Sequence, residues 1–116
     1  MEPPRRALAV SVLLCLCTCP DEASARAIAD ALVEERLAAC VSELPGIRST
    51  YRWEGQLTHD REIQLLIKTT DARLEALTSR VVALHPYELP ELLAVEANGG
   101  LAPYLAWVAE QTRIDD

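Results

Sequence analysis

The chain has 116 residues, 50% of them hydrophobic and 25% charged, with a formal net charge of −7. That length and balance predict one folded domain that buries its own core without staples. The acidic charge and the lack of any Lys/Arg cluster exclude a nucleic-acid backbone as partner, and four cysteines, three of them crowded at Cys15, Cys17 and Cys19, read as reduced thiols of a cytoplasmic protein rather than a disulfide framework.

In chain order, residues 1–6 are expected to be a disordered lead and residues 7–116 one domain. Residues 7–17 form an almost continuous apolar run containing Val10 and Val12, which predicts a strand in the middle of a sheet. With Arg5 and Arg6 before it and Ala23-Ser24-Ala25 after it, the run imitates a signal peptide. Acidic Asp21 and Glu22 lie just ahead of that motif, and cleavage there would cut into the next helix. The run is expected to stay in the protein, and as a helix it is too short to span a bilayer. Asp21 is the natural N-cap of the first helix, and Glu22 is favourable in its first turn. Ala25, Ile28, Ala29, Leu32 and Val33 make its apolar stripe, and it is expected to end near Leu37.

Residues 40–70 read as two long strands joined by a tight turn. Ile47, Ser49, Tyr51 and Trp53 alternate with Arg48, Thr50, Arg52 and Glu54; Ile63, Leu65 and Ile67 alternate with Gln64, Leu66 and Lys68. Gly55 supplies positive φ at the turn, and Pro45-Gly46 marks a bulge or an edge. Each arm is about twice the usual five or six residues, too long for two ordinary helices to cover. The hairpin is therefore expected to pair with another subunit. Tyr51 and Trp53, near its tip, are read as intersubunit anchors or as the lining of a ligand cleft. His59 is expected to be solvated.

Asp71 is expected to cap a second helix with Leu74, Leu77, Val81 and Leu84 as its stripe, ended by His85-Pro86. Residues 89–95 predict a short edge strand after Pro90, Asn98-Gly99-Gly100 a turn, and Pro103 the start of a last helix. Tyr104, Leu105 and Val108 are its expected inner face, with Trp107 alongside. The order βαββαβ plus a helix predicts an α+β, ferredoxin-like split sandwich. Right-handed crossovers put both helices on one face of the sheet and leave the other bare, which again implies a partner. The same topology gathers Cys17, Cys19, the hairpin turn and His85-Pro86-Tyr87-Glu88 at one end. Cys40 falls at the other, out of disulfide reach of Cys19.

The stretches CTCPDEASARAIADALVEERLAACV, LPGIRSTYRWEGQL, IQLLIKTT, HPYELPELLAVEA and YLAWV resemble, in the same order, the CutA family of divalent-cation tolerance proteins. The resemblance runs from Leu14 to Val108. It implies a ferredoxin-like fold, a tight homotrimer, kinship with the PII signalling proteins, and an association with metal tolerance and copper binding. The copper-binding cysteine of the family falls on Cys17 and its histidine before Pro-Tyr on His85. A second histidine found in some members is Leu84 here, so one ligand is missing and only weak copper binding is implied.

Thiolates favour Cu(I) or zinc, and imidazole suits both. One cysteine and one histidine are too few to close a tetrahedral site, so Cys19, Glu88 or the same residues on other subunits would have to help. Against this, Cys15 and Cys40 fit as buried hydrophobes, as Cys17 also does, and His85 fits equally as a helix C-cap. Glu88 and Glu91 flank Pro90, but no nucleophile–base pair or phosphate loop accompanies them, so no enzyme is expected. Tyr87 joins Tyr51 and Trp53 as an interface or cleft residue. The reading is a trimeric metal-response protein that binds metal ions. The alternative is a PII-like regulator sensing a small molecule between subunits.

Overall fold

The computed structural model describes residues 10–114. The expected lead at residues 1–6, and the start of the apolar run, lie outside that range. The elements are β1 (Val12–Cys19), α1 (Glu22–Glu34), β2 (Cys40–Trp53), β3 (Gln56–Thr70), a 3₁₀ turn (Asp71–Arg73), α2 (Leu74–Leu84), β4 (Leu93–Glu96) and α3 (Ala102–Gln111). The four strands form one antiparallel sheet in the order β2-β3-β1-β4. This is the ferredoxin-like α+β arrangement the pattern predicted.

β1 is central, but it starts later and runs two residues further than expected. Thr18 and Cys19 still pair with Gln64 and Ile63 before Pro20 stops the ladder. Its odd-numbered side chains, Leu13, Cys15, Cys17 and Cys19, face α1 and α2. There they meet Ile63, Leu65 and Ile67 of β3, Ile28 and Leu32 of α1, and Leu77 and Val81 of α2. Each large aliphatic chain fully buried here contributes on the order of 1.5–3 kcal/mol.

α1 begins as predicted. Asp21 Oδ1 accepts the Ser24 N–H at 2.8 Å and the Ser24 hydroxyl at 2.8 Å. The helix stops three residues early, at Glu34. Arg36 takes φ 60°, and the Leu37 and Arg36 N–H groups reach back to the Leu32 and Val33 carbonyls. That is a Schellman end, with Leu37 folding down onto the core. Val33, placed in the apolar stripe by spacing, is 42% exposed. Asp71 does not cap α2. Its carboxylate accepts the Ser11 N–H and its own N–H donates to the Ser11 carbonyl, extending the β1–β3 ladder by one rung. A 3₁₀ turn leads into the helix instead. β4 is shorter than expected, because residues 89–92 form a loop after Pro86.

α3 lies against the other sheet face at its lower end. Thr112 Oγ1 sits 3.3 Å from Thr70 Oγ1, and Val108 is fully buried. Tyr104, expected on the inner face, is exposed beside Trp107. The rest of that face, with Leu44, Leu93 and Val95 on it, stays open.

β1 pairs with β3 only from Ile63 onward. The outer halves of β2 and β3 therefore form a two-stranded ribbon that projects past the core. The principal extents are 58 × 25 × 22 Å, and the radius of gyration is 15.7 Å, against about 13 Å for a compact chain of this length. The turn is a two-residue link between Trp53 and Gln56, with Glu54 at φ 50° and Gly55 at φ 79°. Both signs match the hairpin twist. Pro45 and Gly46 together oppose Ile63, a bulge between the Leu44–Gln64 and Ile47–Glu62 pairs, with Gly46 at φ 76°. The extra residue reconciles two parities. It keeps Cys40, Ser42 and Leu44 on the same face as Ile47, Ser49, Tyr51 and Trp53.

Candidate functional site

The upper end of the sheet holds the residues that the topology brings together. α2 ends at Leu84, and the His85 N–H caps it by donating to the Val81 carbonyl at 2.8 Å. The ring then turns inward and is buried. His85 Nε2 lies 2.7 Å from the Thr18 carbonyl oxygen, and Nδ1 accepts the Tyr87 N–H at 3.0 Å. A carbonyl can only accept and an amide N–H can only donate, so the proton sits on Nε2. The backbone thus makes the helix cap, and the side chain locks the 85–87 turn onto the end of β1.

Beside the ring lie Cys17 and Cys19, both fully buried. One ligand atom from each of Cys17, Cys19 and His85 lies within 4.8 Å of the other two. Ligand atoms around one ion at bond lengths of about 2.0–2.3 Å sit closer together than that. A bound ion would draw the three together and displace one hydrogen bond of the imidazole. The two thiols are shifted in opposite directions. The hydrogen bond to Cys19, reinforced by burial and by the Cys19 charge, pushes the Cys17 thiol up. The same bond, together with one from Ser24, pulls Cys19 down against its own burial. Cys19 is thus the more acidic of the pair, and the Cys17 thiol donates to the Thr18 carbonyl at 3.9 Å.

Cys15 lies deeper on the same face, where burial alone raises its pKa from 9.0 to about 11. In the unfolded chain that thiol ionises first, so the unfolded state binds fewer protons between those values. Stability from this group is whole below about pH 9 and is lost as pH climbs through about 11. Denaturation midpoints measured from pH 8 to 11 are expected to fall, and Cys15→Ala is expected to flatten the decline. An unchanged slope in that variant would assign the alkaline loss to other groups. Cys40, expected in the core, is only partly buried, on the open face opposite Lys68. All four thiols are free.

Glu88 is exposed and does not reach the thiols. It belongs to an adjoining cavity of about 650 Å³, between the hairpin ribbon and the 86–91 loop. Tyr51, Trp53 and Tyr87 supply aromatic walls; Glu62, Glu88 and Glu91 supply carboxylates, and Arg52 one cation. Thr18 forms part of the lining and links the cavity to His85. The Tyr87 hydroxyl donates to Glu62 Oε2 at 2.7 Å, and the Tyr51 hydroxyl donates to Asp60. Burial, then the bond to Glu62, pushes the Tyr87 phenol up. His59 is exposed and pairs with Thr50. Sequence reasoning missed Glu62, which is only 6% exposed. Its one signal was its place in β3, two residues before Gln64 on the same face, where the 86–91 loop folds over it.

A ferredoxin-like sandwich with a projecting hairpin and a thiol–imidazole group at one end of its sheet defines a class of small α+β proteins. Residues 13–111 match the family model of the CutA1 divalent ion tolerance protein, and the chain belongs to that family. The chain is similar to the divalent-cation tolerance protein CutA of Thermus thermophilus, 52% identical over 97 residues covering 84% of this chain and 94% of the relative. It is 45% identical to human Protein CutA over 102 residues, 88% of this chain and 57% of that one. Among solved structures, CutA from Xylella fastidiosa aligns with a TM-score of 0.86 and 51% identity, over 88% of this chain and 98% of the other. A protein titled as the periplasmic divalent cation tolerance protein CutA from Archaeoglobus fulgidus aligns with a TM-score of 0.85 and 31% identity, over 88% and 99%. Among the described residues no helix is long and apolar enough to cross a membrane.

Proposed function

We propose that this protein is a metal-response protein of the divalent-cation tolerance type that binds copper, as Cu(I) in preference to Zn(II), through Cys17 and His85 with Cys19 as the third ligand. The observation that carries the reading is the convergence of two thiols and one imidazole within 4.8 Å. Soft thiolates select Cu(I), which accepts two or three ligands, whereas structural zinc wants four. Leu84 supplies no donor, so the binding is weak and Glu88 stands too far out to help. The protein acts by binding rather than by catalysis.

It works as a homotrimer in the cytoplasm. An open sheet face carrying Leu44, Leu93 and Val95, and a ribbon with no third strand, support a partner of the same kind. Four free thiols support a reducing compartment. The test is a titration of the reduced protein with Cu(I) and with Zn(II) against competing chelators, in parallel with sedimentation at micromolar concentration. Copper is expected to bind more tightly than zinc. Affinity is expected to fall as pH drops, because the raised Cys17 thiol must lose its proton to ligate. Equal affinities, or a monomer in sedimentation, would overturn the corresponding half of the reading.

A further inference from the structure

We infer that the acidic pocket around Glu62 is completed by a second copy of this chain: the partner subunit's Arg48 and the partner subunit's Arg61 supply the counter-charge that Glu62 lacks. This contact belongs to the homotrimer read above and rests on that reading. Glu62 is 6% exposed, and its Oε2 accepts the neutral Tyr87 hydroxyl. Glu88 and Glu91 line the same pocket, and Asp60 stands two residues away on the same face of β3. The ion pairs among the described residues are Arg26–Glu22, Arg80–Glu35 and Arg113–Glu110, and none of them neutralises these carboxylates. A buried carboxylate without a counter-charge is costly. Tyr51 and Trp53 wall the pocket, so a neighbour that buries those two aromatics also closes over Glu62.

The reverse side of the ribbon carries the complementary charge. Arg48 and Arg61 are direct cross-strand partners, and both are exposed. Like charges directly opposite each other destabilise a sheet, a cost that nothing inside the single chain offsets. The other described cations are occupied. Arg36 and Arg73 donate to backbone carbonyls, and Lys68 donates to Ser42 and to the Leu66 carbonyl. Arg52 reaches the pocket of its own chain but pairs with none of its carboxylates. A closed ring of three copies joins two different patches of one chain at every interface. The ribbon offers such a pair, with Asp60 and Glu62 on the side of Ile47, Ser49 and Tyr51, and Arg48 and Arg61 on the other. A guanidinium suits a desolvated carboxylate, because its planar fork binds both oxygens and it is weakly hydrated.

The experiment is sedimentation over a dilution series, at low and at high salt, of the parent, Arg48→Gln/Arg61→Gln, Glu62→Gln and the variant combining all three. The arginine variant is expected to raise the trimer dissociation constant by about thirtyfold at low salt and to flatten its salt dependence. Its far-UV spectrum is expected to match the parent's, since both positions are exposed and their mutual repulsion is gone. Glu62→Gln is expected to act in the same direction, while its amide oxygen still accepts the Tyr87 hydroxyl. The combined variant is expected to be no weaker than the arginine variant, because both changes break one contact. Should Glu62→Gln lose its near-UV dichroism, the arginine variant decides by itself. A trimeric parent whose assembly and salt dependence survive loss of the arginines overturns this contact alone. So do effects that simply add in the combined variant. A monomeric parent overturns the trimer itself, and this contact with it.

Discussion

Cys17→Ser is expected to abolish copper binding while leaving the fold and the assembly intact. Cys17 is fully buried, and its sulfur lies within 4.8 Å of the ligand atoms of both Cys19 and His85. A serine hydroxyl is nearly isosteric but is a hard, weakly acidic donor that Cu(I) disfavours. It can still donate toward the Thr18 carbonyl, as the Cys17 thiol does, so the packing changes little. His85→Ala is expected to act differently. It weakens copper binding, and it also frees the Thr18 carbonyl and the Tyr87 N–H, both of which the imidazole now satisfies. Leaving buried polar groups unpaired costs about 1–3 kcal/mol each, so this variant is expected to melt at lower temperature as well. The measurement is chelator competition with Cu(I), alongside thermal denaturation of the apo-proteins. Parent-like copper affinity in both variants would place the site elsewhere. It would leave His85 as the pin between α2 and β1, and Cys17 as a buried thiol.

The second large effect is expected from Tyr51→Ala combined with Trp53→Ala. Both side chains stand on the ribbon beyond the reach of β1, and they remain 38% and 44% exposed in the single chain. Burying what remains of two large aromatics against a neighbour contributes on the order of a few kcal/mol per subunit. In the proposed homotrimer the contribution would be repeated at every interface, so its loss would be multiplied. Sedimentation at micromolar concentration is expected to show dissociation to monomers. The far-UV spectrum is expected to persist, because the Cys15–Leu65–Ile28 core lies entirely on the helical face. Trimers of parent-like stability in the double variant would show that the ribbon tip contributes nothing to assembly. The open face around Leu44, Leu93 and Val95 would then carry it.

Much of this molecule was legible in the amino-acid order. Alternation at Ile63, Leu65 and Ile67, the 3–4 spacing of Ala25, Ile28 and Leu32, the Asp21 cap and Gly55 at the turn are local signals. Each reports a choice that a few neighbouring residues make for themselves. Together with the handedness of crossovers they determined the strand order and brought Cys17, Cys19 and His85 to one end. Tertiary structure decided what depends on contacts distant in sequence. Asp71 reads as a helix cap, yet it serves Ser11, 60 residues away. Val33 fits the apolar stripe, yet the helix turns off at Arg36 before anything covers it. Glu62 reads as an ordinary strand carboxylate, and it is buried because the loop after Pro86 lays Tyr87 across it. The parity of the hairpin was visible on each side of Pro45-Gly46, but only pairing with Gln64 and Glu62 shows that the bulge puts Leu44 and Trp53 on one face. Local propensity reports which conformation a segment prefers; burial, register and the partner of a buried charge are fixed by segments that the sequence holds far apart.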